Sequence, residues 1–263
     1  MFSRNPGTGN PGWLNKRHPA VVGLLLIVAL TACSEGQSQT GTASVSSPLP
    51  TMTPLFEKVL TADEQARLTP EEILKSFQAG NDRFMRNDLT LRDHSAQVRK
   101  AAAGQFPKAV VLSCLDSRIP VEEVLDRGIG DVFVARVAGN IVNEDILGSM
   151  EYGCKVSGAK VIMVMGHKSC GAIKSAIDNV KLGNITALLA KIRPAVDGVS
   201  SFNGDQTSKN DAFVDAVAQL NVKLTLENIR KGSAILKEME AKGTLRIIGA
   251  FYDIDTGRIS FLD

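Results

Sequence analysis

Ala109-Val110-Val111-Leu112-Ser113-Cys114-Leu115-Asp116-Ser117-Arg118 is the stretch on which the rest of the chain turns. Its apolar start reads as a buried strand, and its end sets a thiol, a carboxylate and a guanidinium within five residues. A second stretch has the same plan. The apolar run at residues 161–165 leads into Gly166-His167-Lys168-Ser169-Cys170-Gly171. Two strands that end in metal-ligating side chains place those side chains at one sheet edge, and the carboxyl edge of an open α/β sheet is where ligands bind. Cys114, His167 and Cys170 make a Cys2His zinc set with one position open. Structural zinc sites are closed by four protein ligands, whereas catalytic ones keep a place for water. Asp116 is close enough in sequence to fill that place in a closed state.

Either motif alone occurs by chance, as buried small cysteines and a satisfied core histidine. Both together, each after a strand-like run, favour the metal. The spacing does not fit a zinc finger or ribbon, whose ligand pairs lie closer in sequence.

Strands are expected at residues 108–113, 131–137, 160–166 and 244–252. Helices are expected at 121–127, 143–157, 172–180, 212–230 and 233–241. This alternation gives an α/β fold, a mostly parallel sheet flanked by helices. Asp255-Thr256-Gly257 is a turn that closes a C-terminal hairpin between 246–254 and 258–262. Residues 196–210, rich in Ser, Gly, Asn and Asp, read as a surface loop. Thr69-Pro70-Glu71-Glu72 is a helix start with a capping box and an early proline. Ile73, Leu74, Phe77, Phe84 and Met85 give that helix an apolar stripe.

The chain resembles the β-class carbonic anhydrases. The likeness is carried by Gln105-Phe106-Pro107, residues 114–118, residues 130–136, Ala138-Gly139-Asn140, Glu151-Tyr152-Gly153 and residues 166–171. It covers roughly residues 68–263. The resemblance implies one Zn2+ per chain and reversible hydration of carbon dioxide to bicarbonate and a proton, by attack of zinc-bound hydroxide. It implies that Arg118 grips Asp116, and that Asp116 orients the nucleophile. Gln105, Phe133 and Tyr152 would line the substrate pocket, some of them from a neighbouring subunit. The Gly171 N–H would serve as an anion donor, and Arg136 and Asn140 would stand behind the site. The N-terminal helices would pack on the partner subunit of a homodimer or tetramer; packing on their own domain is the plainer reading. One branch of the family has an inhibitory bicarbonate pocket lined by a tryptophan just before the first cysteine. Here Val110-Val111-Leu112 stands there, and the single tryptophan is Trp13. An open zinc at neutral pH is therefore expected. The alternatives are a zinc hydrolase of carbon disulfide or carbonyl sulfide, and a zinc-binding lipoprotein without catalysis.

The first 32 residues read as an address. Arg4, Lys16 and Arg17 precede the apolar run at 20–30, too short to span a bilayer as a mature helix. Leu30-Thr31-Ala32-Cys33 then reads as a lipobox, with lipid on Cys33. Residues 33–54, rich in Ser, Thr, Gly, Gln and Pro, read as a flexible tether to a domain at 55–263. The expected place is the cell envelope, as a lipoprotein facing the periplasm, and Ser34 rather than Asp after the cysteine favours the outer membrane.

The whole chain carries 30 basic and 28 acidic residues. Loss of residues 1–32 would leave 27 against 28, a near-neutral protein with no basic patch that argues for nucleic acid. Of four cysteines, Cys154 is left over and reads as a buried thiol on a helix. No disulfide framework follows.

Overall fold

The computed structural model describes residues 56–262. Expectations for the signal, the lipobox cysteine Cys33 and the tether fall outside the described residues.

Among the described residues, five strands form one sheet: β1 (Ala109–Ser113), β2 (Val132–Arg136), β3 (Val161–His167), β4 (Arg246–Tyr252) and β5 (Ile259–Leu262). Their order is β2-β1-β3-β4-β5, and only β5 runs antiparallel, as the expected C-terminal hairpin. Every residue of β1 and β3 is buried. Strands covered on both faces read as continuous apolar runs, which is why these two are the plainest in the sequence.

Side chains alternate across the sheet. Val111, Met163 and Met165 enter one core with Phe77, Ile119, Ile173, Ile192 and Phe213. Val110, Leu112, Ile162 and Val164 enter the other with Met150, Cys154, Val222, Ile229 and Leu236. Helix α8 (Asp211–Gly232) serves both: Phe213, Val214 and Val217 belong to the first core, and Val222, Leu226 and Ile229 to the second.

The strand order reverses between β1 and β3. Chain leaving β1 goes to β2 on one side and returns to β3 on the other, so a crevice opens between their carboxyl ends. Ser113 pairs with Met165, which sets Cys114 beside the Gly166-His167 end of β3.

Helix α2 (Pro70–Met85) begins as expected. Thr69 Oγ1 accepts from Glu72 N–H at 3.2 Å, and Glu72 accepts from Thr69 N–H at 2.8 Å. Its stripe buries Ile73 and Phe77 in its own domain. Helix α5 (Glu144–Glu151) runs on into a π turn, Tyr152–Val156, where one continuous helix was expected.

The expected loop at 196–210 needs correction at its start. Helix α7 (Gly183–Gly198) runs through Pro194 and takes in residues 196–198, because Leu189, Ile192 and Ala195 bury a face that outweighs the local turn signal. The short helices α1 (Ala62–Arg67) and α3 (His94–Ala101) were not anticipated. The other α-helices among the described residues are α4 (Val121–Val124), α6 (Gly171–Ile177) and α9 (Ala234–Ala241).

Candidate metal centre

The ligating atoms of Cys114, His167 and Cys170 lie within 4.8 Å of one another, and all three residues are buried. The two sulfurs are 3.8 Å apart. Two sulfurs held about 2.3 Å from one ion at the tetrahedral angle stand roughly 3.8 Å apart, so this spacing suits zinc. His167 Nδ1 faces the Lys168 carbonyl oxygen at 3.0 Å and therefore carries the proton. That leaves the Nε2 lone pair facing the sulfurs, buried and without a hydrogen-bond partner. A buried polar atom with no partner calls for an explanation, and a cation supplies one.

The thiols themselves are unequal. Hydrogen bonding from Cys170 pulls the Cys114 thiol down, against burial, with help from His167 and the Gly139 N–H. The bond to Cys114 and burial push Cys170 up. Two buried thiolates side by side repel, and a dication between them removes the penalty.

Asp116 is not a member of the ligand cluster. Its Oδ2 lies 3.9 Å from His167 Nε2. Arg118 holds it through a two-pronged bond, Nε to Oδ1 at 2.9 Å and Nη2 to Oδ2 at 2.7 Å, and the Arg118 N–H adds a third at 3.0 Å. These bonds, the side-chain pair first, hold the Asp116 carboxyl well below the usual carboxylate range. Arg136 fastens the same loop from β2: its Nε donates to the Cys114 carbonyl at 3.0 Å and its Nη2 to that of Asp116.

Three hydrogen bonds behind the ligands were not read from the sequence. Gly139 N–H donates to Cys114 Sγ at 3.4 Å, and its carbonyl accepts from Asn221 Nδ2 at 2.8 Å. Gly139 has φ +73°, and a Cβ there would stand 2.5 Å from Ile192 Cδ1, so the close approach requires glycine. Asp215 accepts the Ser169 N–H at 3.1 Å, pinning the left-handed residue (φ 53°) between His167 and Cys170. Asn221 and Asp215 both sit on α8. Only the motif glycine hinted at this shell, and nothing local marks either α8 residue.

Gln105, Phe133 and Tyr152 are not brought to the cluster within one chain. Gln105 is exposed and precedes β1, whereas Cys114 follows it. Five strand residues at about 3.3 Å each put them at opposite sheet edges. Phe133 and Tyr152 share a cleft of about 740 Å3 beside edge strand β2, with Glu144, Asp145 and Ile146. Gly171 opens α6 directly after Cys170. Asn140 is buried, with its Nδ2 unpaired.

The fold and the cluster together define an α/β protein with a Cys2His group at its strand switch point that could hold one metal ion. A family model described as carbonic anhydrase matches residues 109–259. Carbonic anhydrase 2 of Mycobacterium tuberculosis is 33% identical over 205 residues, 74% of this chain and 93% of that protein. The carbonic anhydrase of Pseudomonas aeruginosa is 32% identical over 187 residues, 69% and 84% of the two chains. Among solved structures, the β-carbonic anhydrase CafA of Aspergillus fumigatus superposes with a TM-score of 0.58 at 27% identity, covering 65% of this chain and 82% of that one. A tetrameric β-carbonic anhydrase of Sordaria macrospora gives 0.57 at 26%, covering 73% and 95%. The chain belongs to the carbonic anhydrase family, in its β class. Its metal is zinc, which the two thiolates and the free imidazole nitrogen fit.

Proposed function

We propose that this protein catalyses the reversible hydration of carbon dioxide to bicarbonate and a proton. The observation that carries the reading is the pairing of a free His167 Nε2 and two sulfurs with a carboxylate, Asp116, held ionised at 3.9 Å by Arg118. Cys114, His167 and Cys170 would hold the zinc. When bound, zinc supplies acidification of a water ligand toward neutral pH and a nucleophile for an electrophilic carbon. The two thiolates offset the charge of the ion. Asp116, kept ionised by the grip of Arg118, would accept a hydrogen bond from a water or hydroxide held there and so orient its lone pair. Arg136 keeps the Cys114–Asp116 backbone in place. No feature of the site favours the sulfur-bearing substrates.

The test is stopped-flow hydration with zinc quantified in the same sample. Cys114→Ser should lose zinc and activity together. Asp116→Asn should keep about one zinc per chain while the rate falls roughly 100-fold or more. Full zinc with no hydration from neutral to alkaline pH would sink the reading.

An oligomer completes the pocket in this reading. Gln105 lies at the wrong edge of its own sheet, so it reaches a metal only from another copy. The edge of β2, unpaired among the described residues and with Phe133 and Tyr152 beside it, and the tetrameric relative support a dimer or tetramer. Sedimentation would show a monomer if this is wrong. We also infer a lipoprotein of the cell envelope, tethered through residues 33–54, from the basic start, the apolar run and the Leu30–Cys33 pattern. Mass spectrometry of the mature N-terminus should find lipid on Cys33, and Cys33→Ser should release the protein from membranes.

A further inference from the structure

At the sheet edge opposite the metal centre, Lys58, Arg83, Arg92, Lys108 and Arg127 line one cavity of about 360 Å3, together with Asp131. Lys108 directly precedes β1 and Asp131 directly precedes β2. The cavity is therefore built on the rigid start of the sheet.

Carboxylates answer only part of this charge. Asp126, fully buried, takes Arg83 Nε at 2.6 Å and Arg92 Nη1 at 2.5 Å, and Thr90 Oγ1 donates to it at 2.7 Å. Asp131 takes Lys108 Nζ at 3.1 Å. Lys58 pairs outward with Glu64 at 2.5 Å. Arg127 has no carboxylate partner among the described residues; its guanidinium donates to the carbonyls of Leu125 at 2.7 Å and Ser76 at 3.3 Å. Setting the Lys58–Glu64 pair aside, four cations face two carboxylates.

The excess is held partly away from water. The Arg92 and Lys108 side chains are 11% and 16% exposed. Burial lowers the pKa of Lys108; its partner Asp131 opposes this, and the like charges of Arg127 and Arg92 add to the lowering. Burial lowers that of Arg127 too; the charges of Asp131 and Asp126 oppose this, and those of Arg83 and Arg92 add to it. Crowded cations withheld from solvent are unfavourable unless an anion joins them. A group carrying two negative charges would balance the excess, and guanidinium forks match a phosphate's oxygens in pairs.

We propose that this cavity binds a small oxyanion of the phosphate class, at a site separate from the metal centre. Inorganic phosphate and a small phosphate monoester share the recognised group, and the cavity has room for either.

The test is calorimetric titration of the zinc-loaded chain with inorganic phosphate at constant ionic strength. One site per chain is expected. Arg127→Gln removes a cation without orphaning a carboxylate, and should weaken binding at least about tenfold while carbon dioxide hydration stays unchanged. If Arg127→Gln does not fold, Lys108→Gln probes the same cavity by the same titration. Thermal unfolding of the unaltered chain gives an independent reading: phosphate should raise the midpoint above that in chloride of equal ionic strength. No saturable binding up to roughly 10 mM phosphate would overturn the proposal. So would phosphate affinity unchanged in the cavity variant, which would place the anion outside this cavity.

Discussion

Asn221→Ala tests whether α8 sets the metal centre from behind. Asn221 is 3% exposed, and its Nδ2 donates to the Gly139 carbonyl at 2.8 Å. The N–H of the same glycine reaches Cys114 Sγ at 3.4 Å. Truncation leaves the carbonyl unpaired in the interior, at a cost of about 1–3 kcal/mol. For a domain of this size that lowers the unfolding midpoint by roughly 2–12 °C with or without metal. A second loss is expected only with metal. Freed Gly139 no longer fixes its N–H on the thiolate, and removal of such outer partners weakens metal binding by roughly 10–100-fold.

Because zinc binds the folded chain, that loss adds about 1.4–2.8 kcal/mol of destabilisation at saturating zinc. The assay pairs chelator competition for zinc affinity with thermal unfolding of zinc-loaded and zinc-free protein. The midpoint should fall further in the loaded protein. Equal falls in both forms with unchanged zinc affinity would refute the link and leave Asn221 a structural residue alone. Asn221→Asp should not rescue, since the carboxylate has no donor for the Gly139 carbonyl.

Asp126→Ala should destabilise the fold by about 3–5 kcal/mol in urea unfolding, since it strands Arg83 and Arg92 beside an empty buried position. Burial raises the pKa of Asp126, but the bonds from Thr90, Arg92 and Arg83 outweigh it and leave the folded value lowered. Its contribution should be whole above the unfolded carboxylate pKa and vanish as pH falls through the lowered folded one; an unchanged acid limb in the variant would count against this. The Cys154 thiol, pushed up to about 12 by burial, should resist alkylation at mildly alkaline pH in the native protein and react after unfolding. Ready labelling of Cys154 in the folded chain would contradict its placement.

The ligand set was legible because each of its parts is local. Val110 to Leu112 and Val161 to Met165 are apolar runs, and the ligands stand in the residues directly after them or within His167-Lys168-Ser169-Cys170. Thr69 and Glu72 announce a helix start three residues apart. By contrast, the face of α7 over residues 183–198 is settled by what it packs on, and the glycine and serine near its end misdirect a local reading. The π turn at Tyr152 likewise has no composition of its own.

Residue order alone tells which atoms can bind a metal, which strands carry them and that Arg118 follows Asp116 at a distance that allows a two-pronged grip. These are matters of residue type and short spacing. The folded arrangement is what makes β1 and β3 neighbours at the switch point and brings Cys114 within 3.8 Å of Cys170 across 56 residues. It alone decided that Asn221, 82 residues beyond Gly139, backs the thiolate, and that five cations from scattered segments face one cavity. Such contacts depend on how the sheet and helices stack. Their free energy lies in burial and pairing between distant segments, which no short window of sequence contains.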